Sequence, residues 1–279
     1  MYKAINAWSI DGKTGFLEMF REVKKAGFAG IELNIDKPDA SQHSLTMETS
    51  QAELAEMKAM ADEAGLMICS LSTSLYGSKL GSLKKEDRDF AKALLEKQLE
   101  FAQALGADGV LVVPGGNYYD GQTILSAYEN VFETLSEMKP LIAKGNVKVG
   151  LENVWNGFFL SPFDMRDMID RLDCPNLGAY FDVGNVVAAS FPESWIEILG
   201  SRIVKVHVKD FARKGGFYTG GDFVDLWAGN VNWSRVIPAL RQAGYEGPLT
   251  AEVFPTRKYE DITTFYKEVS EQMDRILAL

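Results

Sequence analysis

The chain has 279 residues, 46% of them hydrophobic, and a formal net charge of −10. That length can bury one substantial core or two small ones, and the acidic balance disfavours nucleic acid and anionic membrane as partners. Cys69 and Cys174 are the only cysteines and have no CxxC spacing, which excludes a disulfide framework and fits a reduced, cytoplasmic protein.

The N-terminus, MYKAINAW, lacks a basic-then-apolar signal and reads as the start of a strand over 3–8. A helical stretch follows at 16–26, with Phe16, Met19, Phe20 and Val23 on one face. A pattern then recurs: an amphipathic helix, a glycine, and a short apolar strand. It appears as VKKAGFAGIELNI (23–35), ADEAGLMICSLST (61–73), AQALGADGVLVVP (102–114), IAKGNVKVGLENV (142–154) and LRQAGYEGPLTAEVF (240–254). Glycine ends a helix readily because it enters the left-handed region without a Cβ penalty. The strands predicted after the first are 30–35, 67–73, 109–114, 148–154, 177–184, 203–210 and 249–254, and ITTFYKEVSEQMDRILAL (262–279) closes the chain as a helix. No run of apolar residues approaches the roughly 18 of a membrane span.

Strict alternation of strand and helix implies right-handed βαβ units and a parallel sheet. Eight units in this length match an α/β fold of the (β/α)₈ TIM barrel type, read as one domain over 1–279 because no Pro/Gly/Ser-rich linker divides it. The rival, an open doubly wound sheet, would carry a glycine-rich phosphate loop after the first strand. That stretch reads NAWSIDGKTG.

A barrel of this kind places its chemistry at the C-terminal strand ends. There the fifth strand delivers Glu152 (GLENV), the sixth Asp182 (YFDVG), the seventh His207 (KVHVKD) and the eighth Glu252 (TAEVF). Side chains alternate across a strand. Val204, Val206 and Val208 therefore oppose His207, and apolar neighbours flank the three acids. With the apolar faces packed on helices, all four polar groups point into the barrel mouth. Buried carboxylates need pairing or a metal, and three oxygens with one imidazole suit Mn²⁺, Mg²⁺ or Co²⁺ better than a thiolate-type zinc site. Lys205 and Lys209, beside His207, also allow a purely structural charge network.

These segments carry a family resemblance. GIELNI, LENVWNGFFLSP, AYFDVGNV, VKVHVKDF, FVDLWAGNVNW and GPLTAEVF occur in the order seen in the xylose isomerase-like TIM barrel superfamily. The chain most resembles its sugar phosphate isomerase/epimerase branch, which includes ketose 3-epimerases and hexulose-6-phosphate isomerase-like proteins. The resemblance implies a divalent metal, Mn²⁺ first, held by Glu152, Asp182, His207 and Glu252, with Glu152 and Glu252 also performing acid–base chemistry. It implies a substrate contact for Arg213, six residues after His207. Asn185 stands where several relatives have a substrate-contacting histidine, and Phe158 where ketose 3-epimerases carry a second glutamate, so the chain departs from the free-ketose pattern at both. Endonuclease IV shares the barrel but resembles a multi-histidine zinc site, and this chain has only His43 and His207.

The expected activity is a metal-dependent sugar or sugar-phosphate epimerase or isomerase. It abstracts a proton beside a carbonyl and passes through a metal-stabilised enediolate. A lyase or dehydratase acting on a cyclic polyol or oxidised sugar could use the same site, and so could a non-catalytic sugar-binding barrel. Lys209 and Arg213 would offset the carboxylates, while Trp8 and Trp155 are candidate walls for the sugar and Glu32 could line the mouth. ARKGGFYTGGDF (212–223) reads as a mobile lid or as an ordinary long loop. Arg213, Lys214, Arg257 and Lys258 would admit a phosphate. His43 reads as a solvated loop histidine. The partner expected is a small sugar or sugar phosphate, with a homodimer or homotetramer as the assembly.

Overall fold

The structure is a computed structural model and describes residues 1–279. Eight parallel strands close into a barrel: β1 (Tyr2–Asn6), β2 (Gly30–Ile35), β3 (Met67–Thr73), β4 (Gly109–Val112), β5 (Lys148–Glu152), β6 (Leu177–Asp182), β7 (Ile203–Val208) and, after the hairpin described below, β10 (Pro248–Ala251). Each strand pairs with its sequence neighbours, and β1 closes the ring against β10. The outer layer is α1 (Phe16–Ala26), α2 (Gln51–Ala64), α3 (Lys85–Leu105), α4 (Ile124–Lys144), α5 (Pro162–Leu172), α6 (Val183–Val187), α7 (Pro192–Leu199), α8 (Trp233–Gln242) and α9 (Ile262–Leu277). No helix is long and apolar enough to cross a membrane.

The recurring glycine does what its chemistry predicts at three helix ends. Gly27, Gly65 and Gly106 follow α1, α2 and α3 with positive φ, and each donates its N–H back to the last helical turn. Gly145 does not: its φ is −96°, and α4 ends without a left-handed residue. Gly244 takes the positive φ one residue after the cap of α8.

Six of the eight predicted strands end two or three residues early, and at the sixth and seventh the reasons bear on the site. β6 stops at Asp182, because the Asp182 side chain accepts the Asn185 N–H at 2.8 Å and starts the short helix α6. The seventh strand breaks at Lys209. Beyond it β8 (Asp210–Arg213) pairs antiparallel with β9 (Gly221–Val224). The predicted lid or loop over 212–223 is therefore largely a hairpin rooted on the barrel. Asp210 anchors its base. This buried carboxylate accepts backbone N–H groups from Phe211, Trp227, Gly229 and Val231 at 2.9–3.2 Å.

The barrel interior is divided by polarity. Lys205, expected beside the acidic site, lies at the opposite end of the barrel. It is buried, donates to the Cys69 carbonyl at 2.9 Å and pairs with Asp108. Its parity matches that of His207, but it sits two residues earlier, one layer down the axis. His43 is also not solvated: it is buried between the carbonyl oxygens of Thr14 (2.8 Å) and Ala7 (3.1 Å) and ties the loops after β1 and β2 together.

Higher in the interior, Tyr180 on β6 fills the space beside Gly150 on β5. A Cβ on Gly150 would stand 2.7 Å from Tyr180 Cβ and 3.0 Å from its backbone nitrogen. That collision involves backbone and cannot be relieved by a side-chain rotation alone. Gly150→Ala is expected to destabilise the fold by about 1–3 kcal/mol, read as a lowered urea midpoint at unchanged slope. A midpoint equal to the parent's would contradict this packing.

Candidate metal centre

Glu152, Asp182, His207 and Glu252 converge at the C-terminal end of the barrel, each offering a ligand atom within 4.8 Å of the others. β6 and β7 run level here, with Asp182 opposite His207. Glu152 enters from β5 on one side of this pair. Glu252 follows β10 on the other, where its N–H extends the ladder by donating to the Val208 carbonyl at 3.0 Å. His207 Nδ1 lies 3.3 Å from Glu152 Oε1, 3.2 Å from Glu252 Oε2 and 3.9 Å from Asp182 Oδ2.

The other imidazole nitrogen is already committed. His207 Nε2 is 2.6 Å from Glu32 Oε1, and both residues are fully buried. Glu32 is held in turn by Asn6 Nδ2 (2.5 Å), Ser70 Oγ (2.6 Å) and the Tyr180 hydroxyl, whose ring packs 4.6 Å from that of His207. A carboxylate on Nε2 fixes the proton there and turns Nδ1 toward the cluster. Glu32 was legible in GIELNI only as a mouth-lining residue. The parity used for the other four also turns it inward, opposite Ile31 and Leu33, and its partners come from four other strands.

The electrostatics are strongly uneven. Burial pushes Glu152 up to about 7 despite attraction from His207. Burial also raises Asp182 against the pull of Lys209. For Glu252 burial acts the same way, but Lys209 and His207 outweigh it and hold the carboxyl well below its usual range. His207 is disfavoured as a cation by burial, yet Glu32 and Glu252 hold its pKa well above the ordinary imidazole value. The Lys209 ammonium stands 2.8 Å from both Asp182 Oδ2 and Glu252 Oε2. It satisfies their charge but not their directionality, since both buried oxygens lack a hydrogen bond of good geometry. Orphaned carboxylate oxygens, an oxygen-rich donor set and one oriented imidazole nitrogen fit a hard or borderline divalent cation.

The remaining predicted contacts scatter. Asn185 donates its backbone N–H to the capping Asp182 carboxylate and its Nδ2 to the Asn153 carbonyl at 3.0 Å, so it braces the site's backbone. Trp155 is 57% exposed, donates its indole N–H to the Asn185 carbonyl and stacks on Phe223 of the hairpin. Trp8 donates to Asp36 at 3.0 Å and lines neither cavity beside the cluster. The Arg213 guanidinium donates to the Val187 carbonyl at 3.0 Å and lies over the Phe217 ring. Of the other bases, Arg257 pairs with Glu268 at 2.5 Å and lies 3.5 Å from Asp225, Lys214 is 3.9 Å from Asp222, and Lys258 is exposed. A cavity of about 380 Å³ opens on the cluster between Lys209, Phe223, Glu252 and Phe254.

An oxygen-rich, single-histidine cluster that could hold a metal ion stands at the C-terminal mouth of a closed (β/α)₈ barrel. The chain belongs to the xylose isomerase-like TIM barrel family, whose model matches residues 20–270. It is 27% identical over 241 residues to the L-ribulose-5-phosphate 3-epimerase of Salmonella paratyphi A, covering 86% of this chain and 82% of that enzyme. It is 28% identical over 183 residues to an uncharacterized protein of Methanocaldococcus jannaschii, covering 61% of this chain and 59% of that protein. Among solved structures, a D-tagatose 3-epimerase-like protein superposes with a TM-score of 0.78 at 20% identity, covering 100% of this chain and 98% of that one. The 3-keto-D-glucoside 4-epimerase of E. coli gives 0.77 at 17% identity, with both chains fully covered. The named activities among these relatives are epimerisations, an isomerase chemistry.

Two outcomes follow from the geometry. Ligation needs ionised carboxyls and an unprotonated Nδ1. Because burial pushes Glu152 up to about 7 and the surrounding carboxylates hold His207 well above the ordinary imidazole value, Mn²⁺ binding should release protons. Its affinity should then rise from about pH 6 to about pH 8, seen by calorimetry in buffers of differing ionisation heat; equal affinities across that range would contradict the assignment. Glu32→Gln should weaken Mn²⁺ binding by about 10–100-fold with the circular dichroism spectrum unchanged, whereas affinity within twofold of the parent would remove Glu32 from the site's support.

Proposed function

We propose that this chain is a divalent-metal-dependent epimerase or isomerase of a sugar or sugar phosphate, with Glu152, Asp182, His207 and Glu252 as the ligands. The observation that carries this reading is the placement of Glu152 and Glu252. The two carboxyls reach one buried imidazole from opposite sides of the β6–β7 pair, at 3.3 and 3.2 Å. A divalent ion bound there, Mn²⁺ being the first choice for this donor set, would polarise a substrate carbonyl and stabilise the negative charge that grows on its oxygen.

The protein's own groups supply the rest. One glutamate takes the proton from the carbon beside the carbonyl, and the other returns a proton to the opposite face, which inverts that carbon. Return to the neighbouring carbon instead interconverts aldose and ketose. Glu32 keeps the Nε2 proton on His207, so the imidazole presents Nδ1 throughout. Lys209 supplies a positive charge beside Asp182 and Glu252 without competing as a base, because those carboxylates hold it protonated despite its burial. Phe223 and Phe254 wall the cavity at the cluster and limit water beside the reacting carbon.

The test is proton exchange. Mn²⁺-loaded protein is incubated in D₂O with a panel of ketoses and ketose phosphates, and NMR locates the carbon that gains deuterium. Exchange at a carbon adjacent to a carbonyl is expected. Glu152→Gln and Glu252→Gln should each slow it by at least about a hundredfold while leaving the fold intact. A fully active variant of either kind would sink the assignment.

A further inference from the structure

A second cavity, about 580 Å³ and outside the four-residue cluster, opens between the loop after β5, the α6–α7 connection and the tip of the β8–β9 hairpin. Ten of the sixteen residues that line it are hydrophobic, which sets its chemistry apart from that of the acidic cluster. Its walls include Trp155, Phe159, Leu160, Trp195, Phe211 and Tyr218. Its roof is the hairpin tip, held by one backbone hydrogen bond from Tyr218 to the Ala188 carbonyl at 2.9 Å. Tyr218 itself has a φ of 61°, unusual for a residue with a side chain. Five aromatic rings around a space of this size match flat apolar ligands.

The cavity borders the site. Asn153 and Asn185 both line it, and both hold Asp182: Asn153 exchanges two hydrogen bonds of 2.9 Å with the Asp182 backbone, and the Asn185 N–H bonds the carboxylate. Trp155 forms one wall and stacks on Phe223, which lines the neighbouring cavity that contains Lys209 and Glu252. These two rings thus stand between the cluster's cavity and the apolar space. One polar group there is unspent. Trp195 is buried to 4% exposure, and its indole N–H has no hydrogen-bond partner. A buried donor without a partner is costly, and a ligand acceptor would remove that cost.

We infer that this cavity is a subsite for an aryl substituent of the substrate, with the sugar's reacting carbon at the Glu152–Asp182–His207–Glu252 cluster and an acceptor-bearing aromatic ring among Trp155, Phe159, Trp195 and Tyr218. The inference rests on the sugar-epimerase reading for where the sugar lies, but the cavity can be tested without turnover. Phenyl and methyl β-D-glucopyranoside serve as a matched pair of probes, titrated calorimetrically into the Mn²⁺-loaded protein. The phenyl glycoside is expected to bind at least about tenfold more tightly, from the additional apolar surface buried.

Ala189→Phe, which fills the cavity from its floor, should collapse that ratio to near one. Leu160→Asp, at a lining position 66% exposed and so tolerant of charge, should reduce it severalfold. Equal binding of the two probes to the parent, or a ratio unchanged in both variants, would overturn the subsite. So would a change in the oligomeric state of Ala189→Phe in sedimentation with the probe ratio intact, since the cavity would then be a contact between copies. Deuterium exchange into unsubstituted ketoses is scored separately on the parent. Exchange without a phenyl preference discards the subsite and keeps the activity, and a phenyl preference without exchange does the reverse.

Discussion

The structure turns on an imbalance of buried charge. Four carboxyl groups, those of Glu32, Glu152, Asp182 and Glu252, crowd one end of the barrel, and only two side chains there, His207 and Lys209, bring positive charge to meet them. Like charges held this close cannot all ionise without help, and the fold shows the consequence: one glutamate is pushed toward neutrality while its counterpart is held ionised. Two carboxylate oxygens remain without a directed partner. An arrangement that is costly by itself could be relieved by a small cation.

The shape of the barrel interior makes this arrangement possible. Gly150 leaves room for Tyr180, Tyr180 reaches Glu32, and Glu32 grips the far nitrogen of His207. Packing, hydrogen bonding and metal-site orientation are therefore one chain of contacts across β5, β6, β2 and β7. At the other end of the same barrel, Lys205 and Asp108 close the floor, so the interior has a structural charge pair below and a chemical one above. The hairpin adds a third layer. Asp210 ties its base to the loop before α8, and its aromatic face joins Trp155 to separate the acidic cavity from the apolar one.

Much of this was legible in the sequence because it depends on periodicity. The strand count, the helix–glycine–strand repeat and the inward parity of Glu152, Asp182, His207 and Glu252 all follow from spacing, and the structure brings those four side chains together. Where the reading strayed, a tertiary contact overrode a local pattern. Lys205 has the parity of His207 but the wrong height along the axis. His43 lies in a polar stretch yet is buried, because two loops close over it. The segment 212–223, read as a lid or a long loop, is largely a hairpin, because its two arms pair across a glycine-rich turn that has no strand periodicity.

The sequence by itself thus determined the barrel and the four residues that meet at its C-terminal end, since alternation along a strand and alternation of strands with helices are properties of the chain alone. Only the tertiary structure decided that Glu32 orients His207, that Lys209 bridges Asp182 and Glu252, and that an aromatic cavity stands beside the cluster. Each of those depends on distances between segments separated by tens to hundreds of residues. Such distances are set by how the barrel staggers and closes, and no local pattern encodes them.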